Sequence, residues 1–167
     1  MNFEDVLKKR RSVRRYRDTP IPRESILKVL EAARIAPSAG HRQPWHFIVV
    51  QDRVTREKLA GRSNWAADAP VMIVGLADAE ASPSWCYNDL AIAFEHVVLA
   101  ATDFGLGTCW TGQMRRDAEV REILGVPERF KVIALTPLGV PDEVPGPKER
   151  KSIEEIVSWE RFGEKPS

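Results

Sequence analysis

Seven cationic side chains crowd one short stretch near the N-terminus: Lys8, Lys9, Arg10, Arg11, Arg14, Arg15 and Arg17. Packed so densely they repel one another unless water or an anion relieves them. One reading is a solvated basic face. The other is a phosphate site, because guanidinium forks match phosphate oxygens and Ser12 adds a hydroxyl donor. A second basic group, Lys148, Arg150 and Lys151, lies far away in PDEVPGPKERK, where three prolines and a glycine predict an exposed loop. Alone, that group too is ordinary loop charge. A third reading gives the basic N-terminus to nucleic acid, and predicts a colourless protein whose binding falls steeply with salt.

The segment GLGTCWTG invites a nucleotide motif, and spacing rejects two of them. Trp110 stands where GxGxxG needs its third glycine, and Gln113 and Met114 replace the Lys and Ser/Thr of a P-loop. A helix cap accounts for Gly105, and tight packing for Gly107 and Gly112. What is left for chemistry is a backbone N–H that donates to a planar heterocycle. His41, His46 and His96 form no HExxH pattern and have no Cys pair beside them, so zinc is not expected. Cys86 and Cys109 read as free thiols. No GxSxG elbow offers a nucleophile.

These residues need a scaffold, and the pattern supplies one. Asn2 caps a short helix to about Arg10 with Phe3, Val6 and Leu7 on one side. A second helix runs from about Arg23 to Ile35, with Ile26, Leu27, Leu30 and Ala33 at helical spacing, and Pro37 forbids its continuation. HFIVV, VMIVGL and KVIALTPLGV read as buried strands, and TREKLAG as a short helix ended by Gly61. The longest helix spans about Trp85 to Phe104, its apolar face made by Leu90, Ala91, Phe94, Val97, Val98 and Ala101. Another runs from about Asp117 to Leu124 and is capped by Gly125, and Ser152 with Glu155 fits a capping box before the tail.

The 167 residues suit one domain, residues 1–167. Basic and acidic side chains number 25 and 24, so the whole-chain charge of +1 favours no polyanionic partner. No apolar run reaches the length of a membrane span and the N-terminus lacks the apolar stretch of a secretory signal, so a cytoplasmic, membrane-free protein is expected.

In order, RRSVRRY, APSAGHRQPWHFIVV, DFGLGTCWTG and PKERKSIEEIV resemble the nitroreductase-like flavoenzymes from end to end. The resemblance implies an α+β fold with helices on both faces of a mostly antiparallel sheet. It also implies an intertwined homodimer with FMN at the interface and residues 158–167 extending over the partner. Arg10, Arg11, Ser12 and Arg14 take the family's phosphate-gripping role, and Lys148 and Arg150 match its distant basic pair. A phosphomonoester of roughly 1.5 to 2 negative charges would relieve both patches at once.

Pro37, Ser38, Ala39 and His41 map onto the segment that contacts the flavin of the other subunit, with His41 where many members have Asn. Trp110, Thr111, Gly112 and Gln113 fall where members present backbone to the isoalloxazine, and Asn64 falls near a further contact. No catalytic side chain is implied: a backbone N–H near Gly112 serves the flavin. The implied activity is ping-pong transfer of hydride from NADH or NADPH to a planar conjugated acceptor such as a nitroaromatic or a quinone. Trp85 and Tyr87 either rim that pocket or simply pack at the helix start. A flavin-binding or sensing module without efficient turnover is the alternative.

Overall fold

The computed structural model describes residues 1–165. Pro166 and Ser167, the end of the expected partner-facing tail, lie outside the described residues. The order is α1 (Phe3–Lys9), α2 (Arg23–Arg34), β1 (Trp45–Val50), α3 (Arg53–Ala60), β2 (Val71–Asp78), α4 (Cys86–Asp103), β3 (Gly107–Thr108), β4 (Thr111–Gly112), α5 (Asp117–Leu124), β5 (Phe130–Gly139) and α6 (Ile153–Ile156). The sheet runs β1-β2-β5-β3, with β4 also on β5, and every pairing between these strands is antiparallel.

Alternation along the strands sends side chains to both faces, and both are covered. Val71 and Ile73 of β2, with Ala134 and Leu138 of β5, pack against α2 and α4 through Val29, Phe94 and Val97. Met72, Val74 and Leu76, with Val132 and Leu135, pack against α3 and α5 through Leu59 and Val120. A strand apolar on both faces belongs in the middle, which is where β2 sits.

Three expectations need correction. The β1 strand forms a sheet edge rather than a fully buried strand, with His46 and Val49 exposed. In α2 the buried stripe is Ile26, Val29 and Ala33, while Leu27 is exposed, because it falls about 100° off that stripe. In α1 only Val6 is buried; Phe3 and Leu7 face outward.

Gly75 shows how closely α4 approaches the sheet: a Cβ there would lie 2.8 Å from the Phe94 ring and 3.3 Å from Leu90. Phe94 is fully buried and cannot swing away. Gly75→Ala is therefore expected to cost about 1–3 kcal/mol by overpacking. That outweighs the gain of about 0.4–1 kcal/mol from a stiffer unfolded chain. A denaturant melt of the variant at least as stable as the parent would contradict this packing.

Candidate functional site

Two separated segments converge because β5 does not simply end. Beyond Gly139 the chain runs beside the N-terminal segment: Arg17 N–H donates to Val140 O at 2.9 Å, and Asp142 N–H to Arg15 O at 3.0 Å. On the inner side, Ser12 bridges Thr108 of β3, and Val13 N–H donates to Thr108 O at 2.8 Å. Gly107 admits this approach, since a Cβ there would meet Val13 Cβ at 2.9 Å. Tyr16 closes the segment with a 2.6 Å hydrogen bond from its hydroxyl to Val13 O.

The result is a cleft of about 530 Å³ whose lining includes Arg10, Arg11, Ser12, Arg14, Lys148 and Arg150. The geometry sorts the basic cluster. Arg15 pairs with Asp142 and Glu143, and Arg17 lies 3.9 Å from Asp142, so those charges are spent beside the cleft. Lys8 pairs with Glu4. Arg11 turns one guanidinium nitrogen to Lys8 O and Arg10 O at 2.6 and 2.8 Å, and Arg14 lies over the Trp65 ring at 5.6 Å. Among the described residues Arg10, Lys148 and Arg150 have no ion-pair partner.

Below Ser12 lies Cys109. Burial pushes its thiol up, against the pull of Arg14, a hydrogen bond with Ser12 and the charge of Arg10, so it is held neutral. On α4, burial likewise raises the Glu95 carboxyl, and Arg10 and His96 pull it back only in part. Among the described residues no group of three or more His, Cys, Asp or Glu could hold a metal.

Beyond Cys109 the chain forms the β4 edge. Trp110 packs edge-on against Phe94 with ring centroids 4.7 Å apart, and Thr111 donates its hydroxyl to Leu135 O. Gln113 N–H donates to Ile133 O, so the alternation of a strand turns Gly112 N–H away from β5. Gly112 has no left-handed φ, and a Cβ there would meet nothing within 4 Å. The expected tight packing therefore holds for Gly107 and not for Gly112, where the backbone faces open space.

The segment 37–43 is held elsewhere, at the start of α4. Ala39 N–H donates to Asp89 Oδ1 at 2.9 Å, and Gln43 N–H to Ser38 Oγ at 2.9 Å. Gly40, His41 and Gln43 all adopt positive φ. Within one chain Pro37, Ser38, Ala39 and His41 do not line the cationic cleft. Asn64 is exposed at the start of the turn Asn64–Asp68 and lines a separate hollow beside α3. Sequence reasoning missed Asp89, which is 3% exposed. Its signal was there: an acid on the stripe of Cys86, Leu90, Ala93 and Val97, all buried.

An antiparallel sheet covered by helices on both faces, with a cationic cleft where residues 10–14 meet residues 145–150, places this chain in the layered α+β class. The chain belongs to the Nitroreductase family, whose model matches residues 7–65 and 57–140. A Methanothermobacter thermautotrophicus protein that carries the provisional name NADH dehydrogenase/NAD(P)H nitroreductase is 38% identical over 157 residues, spanning 89% of this chain and 82% of that one. The structure of an FMN-dependent nitroreductase from Clostridium difficile superposes with a TM-score of 0.84 at 33% identity, covering 94% of this chain and 98% of that one. The NADPH:FMN oxidoreductase of Vibrio harveyi, solved with NAD+, gives a TM-score of 0.89 at 27% identity over 99% of this chain and 80% of that one. Among the described residues no helix is long and apolar enough to cross a membrane.

Proposed function

We propose that this protein is an FMN-dependent, NAD(P)H-consuming oxidoreductase that works by ping-pong turnover at one pocket and reduces planar conjugated acceptors such as nitroaromatics or quinones. The observation that carries this is the convergence of Arg10, Arg11, Ser12 and Arg14 with Lys148 and Arg150 on one cleft. Their chemistry fits a phosphomonoester: guanidinium and ammonium donors, a hydroxyl, and five cations without ion-pair partners among the described residues. The bound flavin supplies hydride acceptance and donation, which no side chain of this chain provides.

The residues of the chain bind and orient. The Gly112 N–H, turned off the sheet edge, is the donor for the ring, and the missing Cβ lets a planar group lie against the backbone at Trp110, Thr111, Gly112 and Gln113. The turn carrying Pro37, Ser38, Ala39 and His41 serves the flavin of a second copy in a homodimer. Supporting that assembly, Ile92 on α4, Phe104 at its end and Ile153, Ile156, Trp159 and Phe162 in the C-terminal segment are exposed apolar side chains.

The test begins with the absorption spectrum of purified protein, with FMN added back, followed by anaerobic stopped-flow mixing with NADH and with NADPH. A yellow protein bleached by at least one nicotinamide is expected. Material that is colourless and takes up no FMN defeats the proposal. A bound flavin that neither nicotinamide reduces moves the protein to the binding or sensing class.

A further inference from the structure

A small hollow of about 150 Å³ opens where the turn Ala39–His41 meets the approach to α4, and it is lined by Arg42, Ser82, Pro83, Ser84 and Trp85. The Arg42 guanidinium is positioned there. One of its nitrogens donates to Ala39 O at 3.3 Å, and the group lies over Gly40, where a Cβ would come within 2.9 Å of it. Gly40 is favoured by its φ of +57°, while the close atom is the end of a flexible side chain that could shift. Yet among the described residues Arg42 has no carboxylate within ion-pair distance. The nearby acid Asp89 is occupied, taking Ala39 N–H and the Ser82 hydroxyl. Two large aromatics stand exposed alongside in sequence: Trp85 is 54% and Tyr87 43% accessible.

A guanidinium with donors to spare, beside an exposed indole, suits one ligand chemistry: a flat ring that carries an anionic group. We propose that this hollow anchors the electron acceptor and selects aromatic carboxylates over their neutral counterparts. Arg42 takes the carboxylate and Trp85 the ring. This rests on the FMN oxidoreductase reading, which puts the neighbouring turn at the flavin's edge, and it adds the substrate class. In each two-electron turnover the acceptor's nitro group becomes nitroso with release of water, at the expense of one NAD(P)H and one proton.

The experiment compares 4-nitrobenzoate with 4-nitrobenzamide, which keeps the ring and loses the charge, in steady-state reduction by the FMN-loaded enzyme. It also measures the affinity of the protein for benzoate and benzamide by calorimetry. Arg42→Gln should lower kcat/KM for the carboxylate about tenfold more than for the amide, chiefly through KM, and weaken benzoate by a similar factor. Arg42→Lys should restore part of both. Equal losses on the two acceptors, or benzoate binding indifferent to Arg42, would overturn the assignment. Turnover without any preference for the carboxylate sinks this proposal alone, whereas benzoate binding that depends on Arg42 in a protein without turnover keeps the aromatic-carboxylate site but overturns both its role as acceptor anchor and the redox reading.

Discussion

Replacing Arg10 and Arg150 together by alanine is expected to weaken FMN binding about 100-fold or more. Charge-assisted hydrogen bonds to an anion contribute about 1.5–3 kcal/mol each, and the two side chains reach the cleft from segments far apart in the chain. The ligand-free protein should respond far less. Neither residue has an ion-pair partner among the described residues and both sit among like charges, so their removal relieves repulsion; it also removes the pull of Arg10 on Glu95, and with the two opposed the melting temperature should change little. Riboflavin, the same ring without its phosphate, isolates the cause: its affinity should change little. Fluorescence titration with both flavins and a melt without either make the check. Equal loss of both would mean that the cleft does not hold the phosphate.

That contrast explains why part of this site was legible in the sequence. The N-terminal segment stood out because it carried more positive charge than its local acids could neutralise, a property that belongs to composition and survives without coordinates, whereas PDEVPGPKERK balances three bases with three acids and gained meaning only beside the first. Their convergence could be read only through the family resemblance and not from the residues themselves, because it depends on the pairing of residues 140–142 with residues 15–17, more than a hundred positions apart. The helices followed their stripes wherever the stripe was wide, as in α4, and were misjudged where one residue lay off axis, as at Leu27. VMIVGL and HFIVV both looked like buried strands, and only the sheet order made one central and the other an edge. Arg42 and Asp89 escaped for a different reason. Single charges in a loop and in a helix's first turn are common, and their meaning here comes from the groups they meet.

Asp89→Ala is expected to be the most destabilising change at the site, by about 2–4 kcal/mol. The carboxylate is 3% exposed and takes Ala39 N–H at 2.9 Å, with the Ser82 hydroxyl more weakly at 3.4 Å. Deleting it strands a part-buried donor and opens a void at the start of α4, each a cost of about 1–3 kcal/mol. For a chain of this size that is a fall of roughly 5–15 °C in Tm. The turn itself should then relax. His41 and Gln43 hold φ of +56° and +48°, conformations costing on the order of 1–3 kcal/mol each for residues with side chains, and persist only while their surroundings enforce them. Asp89→Asn separates hydrogen bonding from charge, since its carboxamide oxygen still accepts from Ala39 N–H and Ser82 can turn its hydroxyl to accept from the new amide. It should keep more than half of the lost stability and, on the proposed function, most of the turnover that Asp89→Ala removes. An alanine variant melting within about 1 °C of the parent would show that the turn is held by its own backbone, and that Asp89 is a bystander to it.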